Sequence, residues 1–265
     1  MLSLGIGGDA AAVTRDFYFE RLGSERGLAQ NTVNALVQDA RGFVWVATQG
    51  GLHRYDGQRY TQYRHDPRDP ASLPDSYVTA LAPEGDQALW VGSYSQYVSR
   101  LDLSNGRIRR YVVADGGQAK RQVMALLPHA GKVWVGTVAG LERLDPVSGT
   151  RDRVITLDPL VLRGWPMQAL VAAPDGAIWY GCATGLYRIG PRGGVERMRP
   201  PLAVRSLLQD HRGQLWIGSA EGLYRLASDG HSLLKAWPAG DQVAEVRALV
   251  EAPDHRLWLS LGSQG

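Results

Sequence analysis

The stretch Val33-Asn-Ala-Leu-Val-Gln-Asp-Ala-Arg-Gly-Phe-Val-Trp-Val-Ala-Thr-Gln-Gly-Gly-Leu-His-Arg-Tyr-Asp-Gly57 decides the fold. It opens with a short apolar strand, turns at Asp39-Ala-Arg-Gly42, and runs through a second strand anchored on Trp45. Gly51 then starts a third strand, Gly51-Leu-His-Arg-Tyr55. Strands apolar on both faces belong to sheets covered on both sides. One such unit cannot bury both faces alone, so the array must continue.

It does continue. Trp45, Trp90, Trp134, Trp179, Trp216 and Trp258 are spaced by 45, 44, 45, 37 and 42 residues, the period of a four-stranded propeller blade. An apolar strand precedes each Trp, as in Val78-Thr-Ala-Leu81, Val204-Arg-Ser-Leu207 and Val246-Arg-Ala-Leu249. Two residues after each Trp stands a small residue (Ala47, Gly92, Gly136, Gly181, Gly218, Ser260) on the same strand face, leaving room for an indole or a neighbouring blade. Six residues after most of them stands a Gly, where a tight hairpin would need positive φ. The second unit departs from this: Gln96 replaces that Gly and one extra residue precedes Arg100, so an altered turn is expected there.

The predicted fold is therefore all-β: a β-propeller of four-stranded blades, five complete and a sixth partial. Their approximate spans are 28–64, 73–113, 121–157, 165–199, 202–237 and 243–265, after an N-terminal segment 1–27. The sixth unit stops after its second strand, and Phe17-Tyr-Phe-Glu-Arg-Leu22 has the alternation of a ring-closing strand. The chain thus reads as a fragment of a longer ring, of seven blades rather than six. Its opening, Met1 to Ala12, is apolar and small-residue-rich without basic residues, as the tail of a signal peptide would be.

Composition narrows the function classes. Cys182 is alone, so no internal disulfide and no cysteine-based metal site is expected. No apolar run approaches the ~18–20 residues that cross a bilayer. The net charge of +3 is spread over scattered Lys and Arg, which argues against nucleic acid as a partner. His53, His65, His129, His211, His231 and His255 form no local metal-spacing pair, so no metal is expected. No Gly-x-Ser-x-Gly, His-Glu-x-x-His or phosphate-loop motif is present, so neither catalytic residues nor a cofactor are predicted.

The repeat resembles the two-component regulator propeller family: an apolar strand, an Asp-x-x-Gly turn, a Trp-Val-Ala-Thr strand and Gly51-Leu-His-Arg-Tyr-Asp56. The lead-in Gly27-Leu-Ala-Gln-Asn31 and the connector 63–74 fit it too, and the resemblance runs over roughly 17–265. It implies a periplasmic, ligand-sensing region of a membrane-anchored bacterial signalling protein. A membrane helix and a histidine kinase or diguanylate cyclase would follow outside this chain, and the whole protein could dimerise. The family is defined by scaffold residues, so it assigns no binding residue.

Within the repeated frame one first-strand position varies: Asn34, Thr79, Met124, Gln168, Arg205 and Arg247. Variation inside a fixed scaffold is where specificity can be written. Asn34, Thr79, Gln168, Arg205 and Arg247 are the predicted ligand-binding residues, suited to a carbohydrate or an anionic small molecule. The recurring Arg54, Arg100, Arg143, Arg188 and Arg225 read as stems packed on blade faces, and the Asp-x-x-Gly turns as hairpins rather than Ca²⁺ loops. The rival readings are a propeller enzyme, such as a polysaccharide lyase or lactonase, and a pure protein-docking scaffold. A metal-dependent lactonase would need converging carboxylates, and no Asp or Glu occupies the variable position.

Overall fold

A computed structural model describes residues 2–4, 22–113, 122–157 and 168–262. Strand β1 (Leu2–Leu4) comes first. Blade 1 is β2 (Val33–Gln38), β3 (Val44–Thr48), β4 (Gly51–Tyr55) and β5 (Tyr60–Tyr63). Blade 2 is β6 (Val78–Glu84), β7 (Ala88–Ser93), β8 (Tyr97–Asp102) and β9 (Ile108–Val112). Blade 3 is β10 (Val123–His129), β11 (Lys132–Thr137), β12 (Gly140–Leu144) and β13 (Arg151–Thr156). Blade 4 is β14 (Ala169–Ala172), β15 (Ile178–Cys182), β16 (Gly185–Ile189) and β17 (Val195–Arg197). Blade 5 is β18 (Val204–Gln209), β19 (Leu215–Ser219), β20 (Leu223–Leu226) and β21 (Leu233–Trp237). Blade 6 holds β22 (Val246–Glu251) and β23 (Leu257–Leu261). Blades 1–5 are four-stranded antiparallel meanders, each in its own sheet. Two compact units divide the chain: blades 1–3 fall in Phe19–Pro159, and blades 4–6 in Leu160–Gly265 together with Met1–Tyr18.

Every anchoring Trp lies in the second strand of its blade, as the spacing predicts. In blades 1–5 an Arg sits directly opposite it on the third strand: Trp45 faces Arg54, Trp90 Arg100, Trp134 Arg143, Trp179 Arg188 and Trp216 Arg225. Side chains opposite each other on one sheet face touch. The Arg54, Arg143 and Arg188 guanidiniums lie 5.9–6.0 Å from the centroids of their indoles, at cation–π range. Arg54 also covers Phe43 at 4.7 Å, and Arg100 instead pairs with Glu84 at 2.8 Å. Arg54, Arg143 and Arg188 are thus packed stems, Arg225 is exposed, and the indoles of blades 1–5 are core while that of Trp258 is half-buried.

The turn Asp has two jobs that the hairpin reading alone does not foresee. In blade 1, Asp39 Oδ1 accepts the amides of Arg41 and Phe43, both at 3.0 Å, while Oδ2 accepts Trp45 Nε1–H at 2.8 Å. Blade 5 repeats it: Asp210 Oδ1 takes the Arg212 and Gln214 amides, and Oδ2 takes Trp216 Nε1–H at 2.9 Å. Glu84 does the indole half of this in blade 2, at 3.0 Å from Trp90 Nε1. One carboxylate thus shapes the turn and satisfies the only polar atom of the core indole, which would otherwise be costly to bury.

The small residue after each Trp makes room for the next blade. An added Cβ on Gly92 would lie 2.6 Å from Val123 Cγ1, and one on Gly181 2.3 Å from Val204 Cγ1. Val123 and Val204 each open the first strand of the following blade and are fully buried. The glycine of the hairpin has a different reason. Gly140 has φ +125°, and a Cβ there would sit 1.9 Å from the Ile155 carbonyl oxygen of the fourth strand.

Blade 2 shows what replaces that glycine. Gly92 pairs with Val98, whereas Ala47 pairs with Leu52, so the connection is one residue longer. The extra residue lets β8 start at Tyr97 without a glycine. In blade 1, Thr48 Oγ1 donates to the Gly51 carbonyl at 3.0 Å and closes the turn. The equivalent Ser93 is fully buried and, like Ser95 and Ser99, its hydroxyl finds no partner among the described residues.

His53 in blade 1 is fully buried, and its Nε2 lies 3.1 Å from the Ala29 amide, which donates to it. Burial pushes its pKa below the usual His value and the Arg64 charge acts the same way, against opposing backbone hydrogen bonds. A base with a lowered folded pKa stabilises the fold above its unfolded pKa, and that contribution is lost as pH falls through the folded one. Stability should therefore decline on acidification below about pH 6.5. His53→Gln should flatten that part of the pH–stability curve, as denaturant melts at pH 7 and pH 5 would read. An unchanged slope would refute the assignment.

In the last sheet, β22 pairs with β23, and β23 pairs with β1 through Leu2↔Leu259, Ser3↔Trp258 and Leu4↔Leu257. An N-terminal strand therefore completes the third position of this sheet, but it is Leu2–Leu4. The predicted closing strand Phe17–Leu22 lies outside the described residues up to 21, and Leu22 is in no strand.

Candidate functional site

The variable first-strand residue turns out to be a structural device. The ladder between first and second strands skips from Val33 to Ala35, from Val78 to Ala80, from Val123 to Ala125, from Val204 to Ser206 and from Val246 to Ala248. Asn34, Thr79, Met124, Arg205 and Arg247 are the skipped residues, each the extra residue of a β-bulge. A bulge frees one residue from pairing and re-aims its side chain. Gln168 immediately precedes β14 and is buried.

The re-aimed side chains reach one repeat ahead. Asn34 Nδ2 donates to the Val78 carbonyl at 2.7 Å, and Thr79 Oγ1 donates to the Val123 carbonyl at 2.6 Å. Both staple adjacent blades through the bulge. Arg205 follows the same path, but its Nε meets a carboxylate, Glu245 Oε1, at 3.0 Å. Arg247 Nε binds Glu245 Oε2 at 3.0 Å, so one Glu is shared by two Arg. The Arg205 side chain is 11% exposed and that of Arg247 39%. Blades 5 and 6 therefore set two guanidiniums against one carboxylate at the head of their first strands. Beside the first strands of blades 1 and 2 neutral side chains meet: Tyr77 and Tyr94 stack at 4.6 Å, and Gln49 Nε2 donates to the Tyr77 hydroxyl at 3.2 Å.

At the opposite end of the strands, the turns of blades 5 and 6 enclose a cleft of about 970 Å³. Asp210, Trp216, Arg225, Glu251 and His255 are among its walls. Here His211 and His255 stack at 3.7 Å with Glu251 between their ring nitrogens. Burial works against the Glu251 carboxylate, but hydrogen bonds from His211 and His255 outweigh it and hold its pKa below the usual Glu range. Glu251 and His255 lie four residues apart in one turn, but His211 sits 40 and 44 residues before them, one repeat away, and only aligning the turns of successive blades brings it to the pair.

A family model described as two component regulator propeller matches residues 27–50 and 199–221. Histidine kinase P4 of Formosa agariphila is 36% identical over 62 residues, which span 23% of this chain and 4% of that protein. Among solved structures, the extracellular domain of a hybrid two-component system from B. thetaiotaomicron is similar, with TM-score 0.73 and 21% identity. The match covers 91% of this chain and 34% of that one. A catalytically inactive virginiamycin B lyase from Staphylococcus aureus, solved with quinupristin, reaches TM-score 0.66 at 17% identity over 86% of this chain and 77% of its own. These likenesses show the propeller fold. The chain spans about a third of the length of the two-component propeller it matches.

Proposed function

This chain carries repeats of the two-component regulator propeller family, and on that footing we propose that it is a ligand-sensing region of a membrane-anchored bacterial signalling protein. It works on the periplasmic side, recognises an anionic or polyhydroxylated small molecule, and performs no chemistry on it. A membrane helix and a histidine kinase or diguanylate cyclase output beyond this chain would receive the signal. The observation that carries the reading is the Arg205–Glu245–Arg247 cluster on two adjacent bulges. Arg205 is pinned by Glu245 and nearly buried, so it holds the carboxylate in place. Arg247, more exposed, meets the ligand, and a carboxylate or sulfate would gain charge-assisted hydrogen bonds there.

The two Arg separate binding from folding. In the full-length protein, Arg247→Ala should abolish the response to a panel of acidic oligosaccharides while shifting stability by no more than about 0.5 kcal/mol. Arg205→Ala leaves Glu245 with one partner fewer and should cost stability, about 1–3 kcal/mol. Signalling output and thermal melts recorded on the same samples read both. An Arg247→Ala protein that loses stability but responds normally would make the cluster purely structural. Release of product from any oligosaccharide or lactone would replace the sensor reading with the enzyme reading.

A further inference from the structure

We propose that His211, Glu251 and His255 form a binding site for a divalent transition-metal ion of the zinc class, clasping blade 5 to blade 6. The site is independent of the Arg cluster at the other end of the strands. One ligand atom from each residue lies within 4.8 Å of the others. The Nδ1 atoms of both His face the same carboxylate oxygen, Glu251 Oε1, that of His255 at 3.3 Å. The other oxygen, Oε2, is held by the His211 backbone amide at 2.9 Å, which fixes the carboxylate plane. Two imidazoles and a carboxylate are the donor set of three-ligand zinc centres, which keep a fourth position open. Here that position faces the 970 Å³ cleft.

The backbone points the same way. Gly42, Gly176 and Gly213 stand three residues before their Trp with φ of +87°, +81° and +79°. In blade 6 the residue at that place is His255, at φ +63°. A side chain is thus kept where the repeat otherwise uses glycine, at a cost in strain that aims an imidazole at Glu251 and His211. Strain of this kind collects where a side chain has a task.

Binding is a tautomer change. In each neutral imidazole the proton that points from Nδ1 at Glu251 passes by way of solvent to Nε2, and the freed Nδ1 lone pairs and the carboxylate coordinate the ion. Arg212 opposes it, since its Nε lies 3.3 Å from His211 Nε2 and its charge repels a cation. Arg256 is already neutralised by Asp254 at 3.1 Å.

The test is zinc uptake by the purified, tag-free chain in equilibrium dialysis, with melting temperature read in zinc and in chelator. Wild type should take up one ion and melt higher with zinc. His211→Ala, Glu251→Gln and His255→Gly should each weaken uptake by more than about 100-fold, beyond the loss of an outer-shell partner. His255→Gly restores the glycine of the other turns, so in chelator it should melt no lower than wild type, which separates lost ligation from lost fold. Arg212→Ala should tighten binding. No uptake by wild type, or uptake by the His255→Gly and His211→Ala proteins as strong as that of wild type, would overturn the site.

Discussion

Gly140→Ala should remove about 4 kcal/mol of stability, a large part of what a domain of this kind has to lose. The methyl would land 1.9 Å from the Ile155 carbonyl oxygen, which is backbone and cannot rotate away. At φ +125° the residue is also strained whatever the space. Strained backbone costs about 1–3 kcal/mol and overpacking a similar amount, and here they add. Gly131 in the same blade supplies the control: its φ is +72° and nothing lies within 4 Å of a Cβ. Gly131→Ala should cost only about 1 kcal/mol, the conformational penalty alone. Denaturant midpoints of the two proteins measure the difference. Equal losses would mean that close approach of the fourth strand is not what selects glycine.

Removing the turn carboxylates should have the next largest effect. Asp39→Ala and Asp210→Ala each strand two turn amides and one indole N–H, and should cost about 2–4 kcal/mol apiece. Asn keeps a single acceptor oxygen, which can serve the turn or the indole but not both, so Asp39→Asn should cost about half as much. Asp175 is the comparison within the repeat. It accepts the Ala177 amide and pairs with Arg188 at the surface, while Ala173 occupies the place of Asp39 six residues before Trp179. Asp175→Ala should therefore cost less than about 1 kcal/mol. Near-ultraviolet circular dichroism would follow the indoles directly. If Asp39→Ala melts like Asp175→Ala, the indole bond contributes nothing.

The blades were legible because their determinants repeat. A Trp every 37–45 residues, a small residue two places on and a Gly six places on are each forced by local geometry, and each is visible in one dimension. Even the exception at Gln96 announces its longer turn. What the linear pattern does not show is contact made one repeat ahead. Asn34 and Thr79 stand out as variable, yet their bonds to Val78 and Val123 depend on a bulge that no residue type marks. His211 looks unrelated to Glu251 and His255 until two turns are laid side by side. The β1 strand pairs with β23 across more than 250 positions, and no periodicity links them.

The bulges bear on how such a molecule changes over generations. A ladder residue is answerable to its cross-strand partner, so altering it disturbs two strands at once. The skipped residue answers to none, and in five blades of one chain it is already Asn, Thr, Met and twice Arg. Duplication of a blade copies the frame intact and leaves that single letter free to drift. On the proposed sensor reading, selection can then compose a recognition surface one blade at a time, each trial costing no more than the bond that the residue makes one repeat ahead. A saturation library confined to Asn34, Thr79, Met124, Arg205 and Arg247 should accordingly return mostly folded proteins with altered ligand preferences.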